Sequence, residues 1–160
     1  MKEHYIHLLE YDHWANMKLL EHINNTSEDV FHKPMNSVFP SIAETFYHIY
    51  RGDRIWFKRC IPNLVVDESI TEFKDIKHAE KSFVELHQIM VESIHHYYDE
   101  LDVIVYQNPK GTTFKNTINE IIHHLANHGT YHRGNIASML RECGFKGTST
   151  DYIQYLRDRS

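Results

Sequence analysis

The stretch that most restricts the fold is residues 117–144, TINEIIHHLANHGTYHRGNIASMLRECG. TINE is a capping box, in which Thr117 and Glu120 satisfy each other's free amides. Gly144 is a natural left-handed stop. The spacing between them predicts one helix over about 118–143. At 100° per residue, with His128 at zero, Ile118, Ile121, Leu125, Ile136 and Met139 fall between about 20° and 80°. His132 falls inside that apolar stripe, at about 40°, and His128 lies at its edge. His124 sits on the shoulder at about −40°. His123 is nearly opposite and is predicted to face water.

Two imidazoles pointing into a core each need a hydrogen-bond partner or a metal ion. His128 and His132, at i, i+4, are about 6 Å apart at Cβ and can reach one cation. His124 and His132 are about 12 Å apart along the axis, too far to share an ion that also binds His128. A third ligand must come from another helix. His48 is the best candidate, because Gly52 at i+4 leaves room beside the ring. The other histidines, His87 and His95 among them, fall in mostly polar surroundings or near helix ends. A di-iron centre would need inward Glu-x-x-His pairs. The pairs Glu10/His13, Glu92/His95 and Glu120/His123 all lie off the apolar stripes.

The rest of the chain repeats the helical period. A first helix is predicted over about 3–24, with an apolar arc of Tyr5, Leu8, Leu9, Ala15, Leu19, Leu20 and Ile23 and a break at residues 24–27. SIAE, residues 41–44, is a second capping box, opening a helix over about 42–60 that Pro62 stops. A third helix is predicted over about 77–101, carrying Ala79, Phe83, Leu86, Met90, Tyr97 and Leu101. Residues 103–114 hold the β-branched run Val103-Ile104-Val105 and the turn Asn108-Pro109-Lys110-Gly111. They predict an extended, hairpin-like connection. A short helix over about 151–158 closes the chain. The fold class is therefore all-α, a four-helix bundle forming a single domain over 1–160, with a small extended connection near 103–114 and a short C-terminal helix.

Composition narrows the function classes. A net charge of −5 leaves no electrostatic footprint for nucleic acid. No apolar run is long enough to cross a bilayer, and the N-terminus has no signal-peptide core. The two cysteines, Cys60 and Cys143, make no disulfide framework, so the expected setting is the reducing cytoplasm. The aromatic first helix and the Trp56-Phe57 pair predict more apolar surface than one chain buries, hence a homodimer.

Several stretches resemble the DinB family of the DinB/YfiT-like metalloenzyme superfamily: YDHWAN at 11–16, HIYRGDRIW at 48–56, HHLANHGTYHRGNIASMLRECG at 123–144 and TDYIQYL at 150–156. The resemblance spans nearly the whole chain. It implies an up-down-down-up four-helix bundle, often dimeric. It also implies a divalent metal, zinc or nickel, on His48, His128 and His132, the set the helical geometry favours. His124 then becomes a candidate to act behind the ligands. Some superfamily members are thiol-dependent S-transferases, and the family name refers to damage induction.

Three neutral imidazoles leave a metal with its full charge and an open position, the arrangement of catalytic rather than structural zinc. A thiol there would ionise near neutral pH, giving the nucleophile of an S-transferase. The expected partners are thus a low-molecular-weight thiol and a small electrophile. The alternative is a non-catalytic stress- or damage-response bundle in which the metal is structural. Each ligand's second ring nitrogen wants an acceptor. Asp12, inside the apolar arc, either supplies one or simply touches water, and Asn16 can serve similarly. Arg133 points about 100° from its neighbour His132 and reads as a helix-face salt bridge. No residue is assigned a catalytic role by the sequence.

Overall fold

The computed structural model describes residues 2–97 and 103–159. It is mostly helical, with four long helices, a short terminal one and a two-stranded sheet. α1 spans Lys2–Thr26 and leads through a short 3-10 turn, Glu28–Val30, into the loop before α2, Ile42–Cys60. α3 is Ile76–Tyr97, and the sequence expectation beyond it, including Leu101, lies outside the described residues. α4 is Ile118–Glu142 and α5 is Tyr152–Asp158.

The helix ends follow the local chemistry. Thr117 and Glu120 form the reciprocal box at the start of α4. α2 shows the Ser41 half of its box, with the Glu44 amide donating to Ser41 Oγ at 3.2 Å. Gly144 takes φ 85°, so the Phe145 amide can turn back to the Leu140 carbonyl and satisfy an end group of α4. α1 runs two residues further than its polar Asn-Asn-Thr tail suggests, because Thr26 Oγ1 donates to the His22 carbonyl within the last turn.

The strands depart from a purely all-α reading. β1, Val103–Gln107, pairs antiparallel with β2, Thr113–Thr117, in the register Val103↔Thr117 to Gln107↔Thr113. Asn108 Oδ1 accepts from the Lys110 and Thr112 amides, and Gly111 takes φ 80°, which closes the turn. β2 ends on Thr117, the cap of α4, so the hairpin hands the chain directly to the helix that carries the histidine row.

α1 packs on α3 and α4, while α2 packs on α4 and α3. Ile23, Phe46, Ile49, Phe57, Ile76, Ile94, Ile122 and Ile136 are fully enclosed between them. Burial at this density fixes rotamers and positions side chains from different helices to within a fraction of an ångström. Of the two aromatics read as spare apolar surface, one is internal. Phe57 is fully buried, while Trp56 is half-buried and packs edge-on against Tyr106 of β1 with Arg59 over its face. No described helix is long and apolar enough to cross a membrane.

Candidate metal centre

His48 on α2 and His128 and His132 on α4 converge, with one ring nitrogen from each lying within 4.8 Å of the others. His128 Nε2 is 3.1 Å from His48 Nε2. The ring of His132 stands 4.5 Å from both other rings, edge to face. Ligand nitrogens around a tetrahedral zinc at its usual bond length are about 3–3.4 Å apart, so this spacing fits a cation of that size. His132 is buried, and the other two are half-buried.

The three rings are kept neutral. Burial, followed by the neighbouring imidazoles, pushes His128 down to about 4. Burial and then His48 do the same to His132. His48 is lowered by burial and then by Arg51. No carboxylate among the described residues contributes to any of the three shifts. The site therefore offers three uncharged donors that could take a cation without first losing protons at neutral pH.

The room the cluster needs comes from Gly52, though for a different ring than expected. A Cβ at Gly52 would meet His128 Cε1 at 2.9 Å, so the glycine clears space for His128 rather than for His48. Phe39, in the loop before α2, lies against His48 at 4.7 Å and His132 at 5.4 Å. Tyr131, 63% exposed, flanks His132 from the other side.

The candidates for a supporting role fall elsewhere. The hydrogen bonds of Asp12 and Asn16 go to Arg133 and to each other, not to a cluster histidine. Asp12 is buried, and its carboxylate is engaged by Arg133 and Asn16. His124 is exposed, with its ring 5.6 Å from His128 and 5.1 Å from Trp56. His123 is half-buried beside His4, and its Nδ1 faces the Asn119 carbonyl at 2.8 Å, rather than facing water freely.

Two features escaped the sequence reading. Asn135 places its side-chain amide 3.4 Å from His132 Nδ1. If His132 held a cation through Nε2, its Nδ1 would carry the proton and the Asn135 amide, with its oxygen inward, would accept it. The i, i+3 spacing of His132 and Asn135 was the available signal. Arg133, expected on an outer face, is 2% exposed. It donates from Nη1 to Asp12 Oδ1 at 2.7 Å and Asn16 Oδ1 at 2.8 Å, and from Nη2 to Thr130 Oγ1 at 3.1 Å. Gly129 makes this pair fit, since a Cβ there would lie 2.1 Å from Asp12 Oδ1.

A mostly helical protein that brings three ring nitrogens this close could hold a metal ion there, and the sequence comparisons give its family. The profile described as the DinB family matches residues 1–159, and the chain belongs to that family. It is 34% identical over 157 residues to Protein DinB of Bacillus subtilis (strain 168), covering 93% of this chain and 91% of that protein.

Proposed function

We propose that His48, His128 and His132 hold one divalent ion, zinc or nickel, and that the protein is a thiol-dependent S-transferase built on a DinB/YfiT-like four-helix bundle. The observation that carries the reading is the convergence of three neutral ring nitrogens with no carboxylate beside them. When bound, such an ion keeps its full charge and favours the ionised form of a thiol. The chain's own residues do the rest. His48 and His128, half-buried, leave the cluster approachable from solvent. Phe39 and Tyr131 flank the approach and would orient an apolar electrophile. Arg51, whose charge reaches His48, favours an anionic reactant. The thiol sulfur bonds to the electrophilic carbon, the leaving group departs with its electron pair, and the thiol proton passes to solvent.

Cys60 and Cys143 are both unpaired, in keeping with a reducing cytoplasm where small thiols abound. Neither suits the role of nucleophile. Burial raises Cys60 to about 12, which keeps it protonated, and Cys143 caps the far end of α4. The test is metal content together with conjugation of a chromogenic electrophile by a panel of cellular thiols. The expected result is one ion per chain and a metal-dependent rate. Full metal occupancy with no rate above background for any thiol would leave the metal a structural one. Light scattering, expected to give twice the 19.1 kDa of one chain, tests the homodimer that family resemblance implies.

A further inference from the structure

A second buried polar group lies in the helical core. Asp53 of α2 is 4% exposed, and its Oδ1 has no hydrogen-bond partner among the described residues. It lines a small cavity together with Asp12, His13 and Asn16 of α1 and His87 of α3, with room for one water-sized body. We propose that Asp53 is carried in the folded protein as a neutral carboxylic acid. The cavity around it then acts as a pH-sensitive device, because loss of that proton sets a second carboxylate against Asp12 for the single guanidinium of Arg133.

The geometry supplies one cation for two carboxylates. Both oxygens of Asp12 are engaged, Oδ1 by Arg133 and Oδ2 by Asn16 Nδ2 at 3.2 Å. Arg133 turns Nη1 and Nη2 to Asp12, Asn16 and Thr130, and its Nε is buried without a partner. The histidines facing Asp53 add no charge. His13 and His87 are stacked, with ring centroids 4.2 Å apart and planes 9° from parallel. Burial lowers His13, and burial with His13 beside it takes His87 to about 4. Glu10, further out on α1, is held by Arg159 at 2.7 Å. An ionised Asp53 would thus be an unpaired charge in the core, and the protonated form avoids it. Burial and then Asp12 do hold this carboxyl well above its usual range, against the pull of Arg133. A divalent ion is the poorer occupant. A ligating lone pair lies in the ring plane, and two parallel rings at this separation cannot both aim at one ion. The acid proton has an acceptor within reach of one bridging water, because the buried Nδ1 of His13 lines the same cavity without a partner.

A carboxyl whose pKa is raised by folding stabilises the fold at low pH. That contribution falls as pH rises from the unfolded value, near 4, to the folded one. The experiment is thermal unfolding of the full chain and of Asp53→Asn across pH 4–9, with and without a chelator. Asp53→Asn keeps the shape and cannot ionise. Its melting temperature is expected to rise relative to wild type by about 3–5 °C per pH unit through that window, then level off. The slope, not the offset at low pH, is the readout, and it is expected with and without chelator, so it stands apart from the three-histidine reading. Infrared difference spectra give a second measure: a carboxylic-acid C=O band at neutral pH in wild type, missing in Asp53→Asn. Parallel pH curves, an unchanged band, or a stoichiometric cation lost on Asp53→Asn would each overturn the proposal.

Discussion

The two polar clusters of the core share α4 and follow opposite rules, the first joining it to α2 and the second to α1. His48, His128 and His132 bring like groups together, all uncharged and all bearing lone pairs toward one point. Asp12, Asn16 and Arg133, set off that face of α4, bring unlike groups together, and each oxygen of Asp12 meets a donor. The first cluster is incomplete without something positive at its centre. The second is complete as an ion pair and becomes incomplete if one member is removed. A buried polar group thus marks a binding site only when its neighbours fail to satisfy it.

Cutting the second cluster is expected to have the largest effect. Arg133→Ala leaves the Asp12 carboxylate buried and unpaired and should lower unfolding stability by about 3–5 kcal/mol, read by chemical denaturation. Gly129→Ala should cost about 1–3 kcal/mol, since its Cβ overlaps Asp12 Oδ1 and Arg133 Nη1. The histidine cluster should behave in the opposite way. His128→Ala and His132→Ala are expected to abolish metal binding while changing the stability of the chelated protein by no more than about 1 kcal/mol, and His124→Ala should keep its metal. Elemental analysis beside melting curves separates the two patterns, and a metal-free His128→Ala as unstable as Arg133→Ala would erase the contrast. A smaller effect sharpens it. Asn135→Ala should weaken metal affinity about 10–100-fold, and Asn135→Asp, which restores an acceptor, should recover it.

Acidity distinguishes the clusters too. Folded His128 and His132 stay neutral down to about 4, while free imidazole takes its proton near 6.5. The unfolded chain therefore binds protons first, and the metal-free protein should lose stability as pH falls from about 6.5 toward 4. His128→Ala should flatten that slope in a melting series, and an unchanged slope would place its origin in other groups, such as His13 and His87.

The sequence made one cluster readable and hid the other. The histidine row declares itself through a single helical period, and His48 needs only the inward face of one more helix. Capping boxes and the Gly144 stop are equally local, so both ends of α2 and α4 fell within two residues of where they were placed. Arg133 was given the right direction on the wheel but the wrong surroundings. A wheel reports which way a side chain points, not which helix stands there. Asp53, His13 and His87 come from three helices and have no shared spacing, so only the packing of α1, α2 and α3 brings them to one cavity. The hairpin was visible in its β-branched run and turn, while its register and its hand-over to Thr117 depend on pairing.

Gly129 also governs the order in which this chain can change. While Asp12 and Arg133 are both present, any side chain at 129 collides with them and forces them to shift. If the ion pair is lost first, the collision goes with it, and alanine becomes acceptable, even favourable for a helix interior. Once that methyl is in place, the ion pair can no longer be rebuilt without first removing it. The two changes can thus be undone only in the opposite order, the methyl leaving before the pair is rebuilt. Relatives of this protein that keep the Asp–Arg pair should therefore carry glycine at the position of Gly129.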